Sequence, residues 1–130
     1  MRLRIRTGIT ATSEGVVMAK FMYVFRGGAF VEKGLAPNVL QEHLKSWSVW
    51  VGERARQGHQ PGGDPVQAGG RTVRGKGRVI TDGPYAELKE LVTGNLVIEA
   101  ASLDAATELA LGCPIFVYDG SVEIRPVAAM

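Results

Sequence analysis

Apolar positions along the chain change their spacing several times, and each change marks an element. Phe21-Met22-Tyr23-Val24-Phe25 is a continuous apolar run closed by Gly27-Gly28, which predicts a strand. Pro37 suits a first helical position, and the chain from there to Gln57 predicts a helix stopped by Gly58. Gly62-Gly63-Asp64-Pro65 reads as a turn, followed by a candidate short strand at Val66-Gln67. Arg71-Thr72-Val73-Arg74 and Arg78-Val79-Ile80-Thr81 flank Gly75-Lys76-Gly77, a hairpin signal. Leu96-Val97-Ile98-Glu99-Ala100 predicts a further strand. A second helix is framed by Ser102 as N-cap, Asp104 in its first turn and Gly112 as its stop. Ile115–Tyr118 and Val122–Arg125 around Asp119-Gly120 read as a second hairpin-like pair.

The resulting order, β-α-β-β(-β)-β-α-β-β, predicts an α+β, ferredoxin-like antiparallel sheet with two helices on one face. Two helices cover one face only. Yet Phe21–Phe25 and Ile115–Tyr118 carry bulky residues on both faces. The economical cover for the second face is a second copy, sheet against sheet, so a homodimer is expected.

The first helix holds the main chemical candidate. At about 100° per residue, Val39, Leu40, Leu44, Trp47, Trp50 and Val51 form one arc, and His43 and Arg54 fall inside it. Two readings of His43 stay open. It is a core histidine with a hydrogen-bond partner, or it is an acid/base or ligand-binding group in a half-buried pocket. In the second case Trp47 supplies an apolar wall. His59, beyond the helix stop, reads as a surface loop residue.

The run Thr81-Asp82-Gly83-Pro84-Tyr85-Ala86-Glu87-Leu88-Lys89-Glu90 is turn chemistry loaded with acid. Asp82, Glu87 and Glu90 are candidate bases or partners for His43, and Asp64 is the alternative carboxylate. Solvated turn residues are the plainer account of all four. Arg71, Arg74, Lys76 and Arg78 make a basic hairpin without interleaved aromatics, so nucleic acid is not expected to bind it. Its arginines, Arg74 among them, could hold an anionic substrate. Two histidines and scattered acids give no metal-ligand spacing, and neither glycine-rich stretch opens a helix as a phosphate loop does. No metal or cofactor is expected.

Composition refines this picture at three points. The formal charge of +2 is carried by Arg2, Arg4, Arg6 and Glu14, and the remainder is neutral, which again implies no nucleic-acid partner. Residues 1–19 are therefore expected to be an extension outside the core, with the domain spanning 20–130. Cys113 is the single cysteine, which excludes an internal disulfide and fits a reduced cytoplasmic compartment. No apolar run is long enough to span a membrane.

Five segments together resemble the YCII-related family, in its DGPF branch: Lys20–Val24, Gly62–Pro65, Val79–Glu90, Gly112–Pro114 and Ser121–Val127. Tyr85 stands where that branch usually has Phe. The resemblance implies a dimeric α+β barrel of ferredoxin-like protomers. It also implies a His–Asp active-site pair, with His43 in Glu42-His43-Leu44 at the histidine position and Asp82, then Asp64, as the aspartate. Many members of the branch lack that histidine. Some relatives act on small muconate-type or chlorinated aromatic breakdown products. The expected activity is thus a metal-independent lyase or isomerase reaction on a small anionic unsaturated acid. The alternative is a non-catalytic regulatory or binding module partnering a sigma-factor-type regulator, since such proteins often travel with sigma factors.

Overall fold

The computed structural model describes residues 10–11, 17–28, 34–67, 69–83 and 90–128. Its elements are strand β1 (Thr10–Ala11), strand β2 (Val17–Arg26), helix α1 (Pro37–Arg56), strands β3 (Arg71–Arg74), β4 (Val79–Asp82) and β5 (Val92–Ala100), helix α2 (Leu103–Ala110), a 3-10 turn (Pro114–Tyr118) and strand β6 (Ser121–Pro126).

Strand β2 is the centre of the main sheet. It pairs antiparallel with β5 on one side, with Tyr23 opposite Leu96, and with β6, with Tyr23 opposite Ile124. Beyond β5, residues 59–66 run as an irregular edge strand. They bridge Gly62 to Val97 and Pro65 to Gly94, and the Glu99 amide donates to the His59 carbonyl. The spatial order is therefore edge segment, β5, β2, β6, which is the ferredoxin-like arrangement. Hairpin β3–β4 is a separate two-stranded sheet, with Val73 opposite Ile80.

Period-two alternation decides which face is buried. Phe21, Tyr23 and Phe25 of β2 and Leu96, Ile98 and Ala100 of β5 form the core face, with Trp50 of α1 and Ala106 and Ala110 of α2 packed on it. The small alanines let α2 sit close to the strands. Tyr23 and Ile98 are fully enclosed. On the opposite face of β2, Met22 is 36% exposed and Arg26 pairs with Glu123 of β6. Both helices are placed as the capping signals require. Pro37 opens α1, and the Ser102 side chain accepts from the Ala105 amide at 3.0 Å to cap α2.

Three sequence expectations fail locally. Ile115–Tyr118 forms a 3-10 turn rather than a strand, because Pro114 starts a tight turn and Asp119, at φ 63°, ends it. The strand expected at Val66-Gln67 is displaced to the Gly62–Pro65 region, which pairs with β5 although it reads as a turn. The boundary drawn after residue 19 falls inside a strand. Met18 is buried, Ala19 packs against the core, and Thr10–Ala11 pair with Met18 and Val17.

Gly63 explains how the edge segment lies so close to β5. A Cβ built there would stand 2.2 Å from the Asn95 carbonyl oxygen and 2.8 Å from Leu96 Cα, both backbone atoms that cannot step aside. Gly62 next to it has nothing within 4 Å. Gly63→Ala is therefore expected to destabilise the fold by about 2–3 kcal/mol, lowering Tm by about 8–12 °C, while Gly62→Ala stays within about 0.5 kcal/mol. Thermal melts of the two variants check this, and equal Tm values would show that the edge pairing contributes little.

Candidate functional site

The buried stripe of α1 consists of His43, Trp50 and Arg54, with Trp47 half-buried beside them. The polar residues thus sit at the centre of the helix's inner face. Val39 and Leu44, the flanks of the sequence arc, are 42% and 47% exposed. Helical spacing brings positions 43, 47, 50 and 54 into one row, and the row lies over the aromatic side of β2. Trp47 meets Phe25 edge-on at 5.2 Å, and Trp50 lies 6.1 Å from Tyr23.

His43 is only 7% exposed. Its Nε2 lies 3.1 Å from Trp47 Nε1, and the indole N–H is the donor because it can only donate. Nε2 therefore carries the lone pair, and the neutral ring holds its proton on Nδ1. Tyr118, on the 3-10 turn, presents its ring at 4.8 Å and a steep angle to the imidazole. Two glycines let that turn approach. A Cβ on Gly28 (φ 64°) would come within 2.7 Å of Ile115 Cδ1, and one on Gly120 within 2.9 Å of the Ile115 carbonyl. Burial among these rings lowers the His43 pKa, because desolvation penalises the imidazolium.

A second polar group lies further along the stripe. Arg54 donates to the Leu109 carbonyl at 3.3 Å and stands 5.4 Å from the centre of the Trp50 ring. Trp50 Nε1 donates to the same carbonyl at 3.3 Å. Helix α2 has no basic residue in its own last turn, so Arg54 supplies the cation that its C-terminal dipole favours. Tyr23 donates its hydroxyl proton to the Ala106 carbonyl, and burial pushes its pKa up to about 12. Cys113 is also raised to about 12 by burial, which keeps it a thiol and a poor nucleophile. These groups tie α1, α2 and β2 together.

Among the described residues, the structure brings together two of the sequence-predicted site residues, His43 and Trp47. Asp82 ends β4 with its side chain 96% exposed, 3.4 Å from Arg71 Nε. Such a carboxylate does not hydrogen-bond a buried imidazole, so within one chain the expected His43–Asp82 contact is not made. Asp64 is exposed, and its backbone carbonyl takes the Asn95 amide at 3.0 Å. Arg74 is exposed on the hairpin. Glu87 lies outside the described residues. Tyr118 was missed, because the run Ile115–Tyr118 reads as a strand. Pro114 at its start and Asp119-Gly120 at its end were the signal for a closed turn instead. Among the described residues, no three His, Cys, Asp or Glu side chains are placed to share a metal ion. Among them, too, no helix is long and apolar enough to cross a membrane.

The family model of the YCII-related domain matches residues 37–130, well over half of the chain, and the protein belongs to that family. No curated protein matches it.

The lowered His43 pKa has a definite sign in stability. The unfolded chain, with histidine near the ordinary 6.5, takes up its proton first as pH falls. The unfolded state then binds more protons, so stability is at its full value above about 6.5 and declines as pH drops through that value toward the folded pKa. The slope from one such group is at most about 1.4 kcal/mol per pH unit. Comparing melts of the native protein and His43→Gln between pH 7.5 and 5 checks this. The variant is expected to lose part of the acid-side decline, and identical slopes would place His43 in contact with water.

Proposed function

Taking membership of the YCII-related family as the starting point, we propose that this protein is a homodimeric small-molecule-binding protein whose ligand site lies at the His43 end of α1. The observation that supports it most is the neutral, buried imidazole held by Trp47 and faced by Tyr118. A leucine would pack there without needing polar partners, so a purely structural histidine is a costly choice. Here Trp47 holds the imidazole, the place at which the family resemblance implies an aspartate partner.

The ligand class is a small anionic unsaturated acid. A buried imidazole set among aromatic rings is the kind of group that recognises a carboxylate, or an enolate oxygen as charge develops there, between apolar walls. Isomerisation or elimination of such an acid moves a proton without net redox change, and at His43 the lone pair that would take it up is the Nε2 pair held by Trp47. The homodimer reading rests on the sheet face opposite the helices, where Met22, Val24 and Val97 lie partly open between the Arg26–Glu123–Arg125 ion pairs.

The test is an NMR titration of the Trp47 indole and His43 ring signals with crotonate, maleate and cis,cis-muconate. At least one is expected to shift both signals saturably in the native protein and to leave Trp47 unmoved in His43→Leu. If none of the three perturbs either signal while the fold is intact, the small-acid reading fails and a non-catalytic binding module takes its place.

A further inference from the structure

Hairpin β3–β4 stands apart from the core in a way that calls for a partner. All described hydrogen bonds of residues 70–83 are internal to that segment, from the ladder itself to Thr72 on the Gly83 carbonyl and the Gly83 amide on the Gly70 carbonyl. An isolated two-stranded hairpin is at best marginally stable in water. On one of its faces the cross-strand pair Val73 and Ile80 is 62% and 65% exposed. Arg74, Lys76 and Arg78 around its tip make no ion pair among the described residues. The arm therefore combines uncovered apolar surface with three uncompensated cations.

A surface of opposite character lies on α1. A groove of about 420 Å³ runs along the helix flank, with Glu42 and Glu53 near its ends, Lys45 and the half-exposed Val49 between, and Trp50 and Pro114 at its inner side. The two acids are about 16 Å apart along the helix axis. Glu42 makes no ion pair among the described residues, and Glu53 meets only the exposed Arg56 at 2.6 Å, a pair of little energetic weight.

We propose that the β3–β4 arm docks into the α1 groove of a second copy of this chain, with Val73 and Ile80 against Val49 and the tip cations beside Glu42. The inference rests on the homodimer reading above and adds an exchanged arm to it. Six residues on each side of the hairpin reach about 20 Å. That matches the step from one sheet to the far side of its packed neighbour, about 10 Å between sheets and about 10 Å for the helix layer. A nucleic acid would satisfy the cations but leave Val73 and Ile80 in water, so a protein surface with both acid and apolar side chains fits better. The consequence for function is direct. Glu42 adjoins His43, and groove-lining Ser46 donates to the His43 carbonyl at 2.6 Å. The arm of the second copy would thus bring Arg74, Lys76 and Arg78 to the mouth of the His43 site, where an anionic ligand needs them.

The experiment mixes two full-length single variants, Lys76→Cys and Glu42→Cys, under mild oxidation, with light scattering of the native protein alongside. Cys113 is only 4% exposed and does not compete. The expected product is a disulfide joining one variant to the other, in excess over either self-linked pair. In parallel, Glu42→Lys should weaken the dimer at least about tenfold, and Lys76→Glu in the same chain should restore it. A native dimer with no mixed disulfide overturns the arm and leaves the dimer standing. A native monomer at micromolar concentration overturns both. Binding to heparin that is lost in Lys76→Glu, without a mixed disulfide, would assign the hairpin to a polyanion and also overturn the proposal.

Discussion

Tyr23 is the side chain on which the rest of the architecture depends. It sits at the middle of the central strand, with no solvent exposure, and it touches every layer. Its hydroxyl donates to Ala106 in α2, its ring faces Trp50 of α1, and its backbone pairs with both β5 and β6. A phenol in such a place brings much apolar area inside together with one polar atom that must find an acceptor. The Ala106 carbonyl is that acceptor, so the position of α2 over the sheet is specified by a directional bond as well as by apolar contact. With pKa raised to about 12, the phenol remains a donor across the whole physiological range. The lock does not open with pH.

The same constraint shapes α1. A helix lying on a row of large aromatics must itself supply flat groups, and Trp47 and Trp50 do so. The row's two ends are polar. At the C-terminal end Arg54 has a structural task, neutralising the exposed carbonyl end of α2 through Leu109. At the N-terminal end His43 has Trp47 and Tyr118 around it. The Arg54 guanidinium is held at the C-terminal end, while its buried Nε makes no hydrogen bond among the described residues. The two polar groups thus differ in surroundings, Arg54 tied to the carbonyl end of α2 and the imidazole set among aromatic rings.

Much of the fold was legible because its elements are marked at both ends. Pro37 and Gly58 bracket α1, Ser102 and Gly112 bracket α2, and glycines separate the hairpin strands, and these agree with the structure to within a residue or two. The inward placement of His43 and Arg54 was legible too, since 3.6-residue periodicity fixes it regardless of their polarity. What was not legible depends on long-range geometry. The Gly62–Pro65 segment looks like a turn and becomes an edge strand only because Gly63 lets it press against Asn95. The segment Ile115–Tyr118 has strand composition, yet Pro114 and the packing of Ile115 over Gly28 and Gly120 coil it into a 3-10 turn. Tyr118 reaches His43 only through that coil, so no spacing rule could have paired them.

The separation of His43 from Asp82 has an electrostatic meaning beyond its geometry. A carboxylate that is 96% exposed is hydrated, and a unit charge in bulk water is worth only about 1 kcal/mol to a partner even at 4 Å. At larger distances salt removes most of what is left. Asp82 of the same chain is therefore too weak a field to choose a tautomer for a buried ring, whereas one indole hydrogen bond at 3.1 Å does so directly. This choice also constrains chemistry. The lone pair that a general base would use is the one Trp47 occupies, so protonation at Nε2 requires the indole to swing away. Trp47 is therefore the residue through which any use of the Nε2 lone pair must pass.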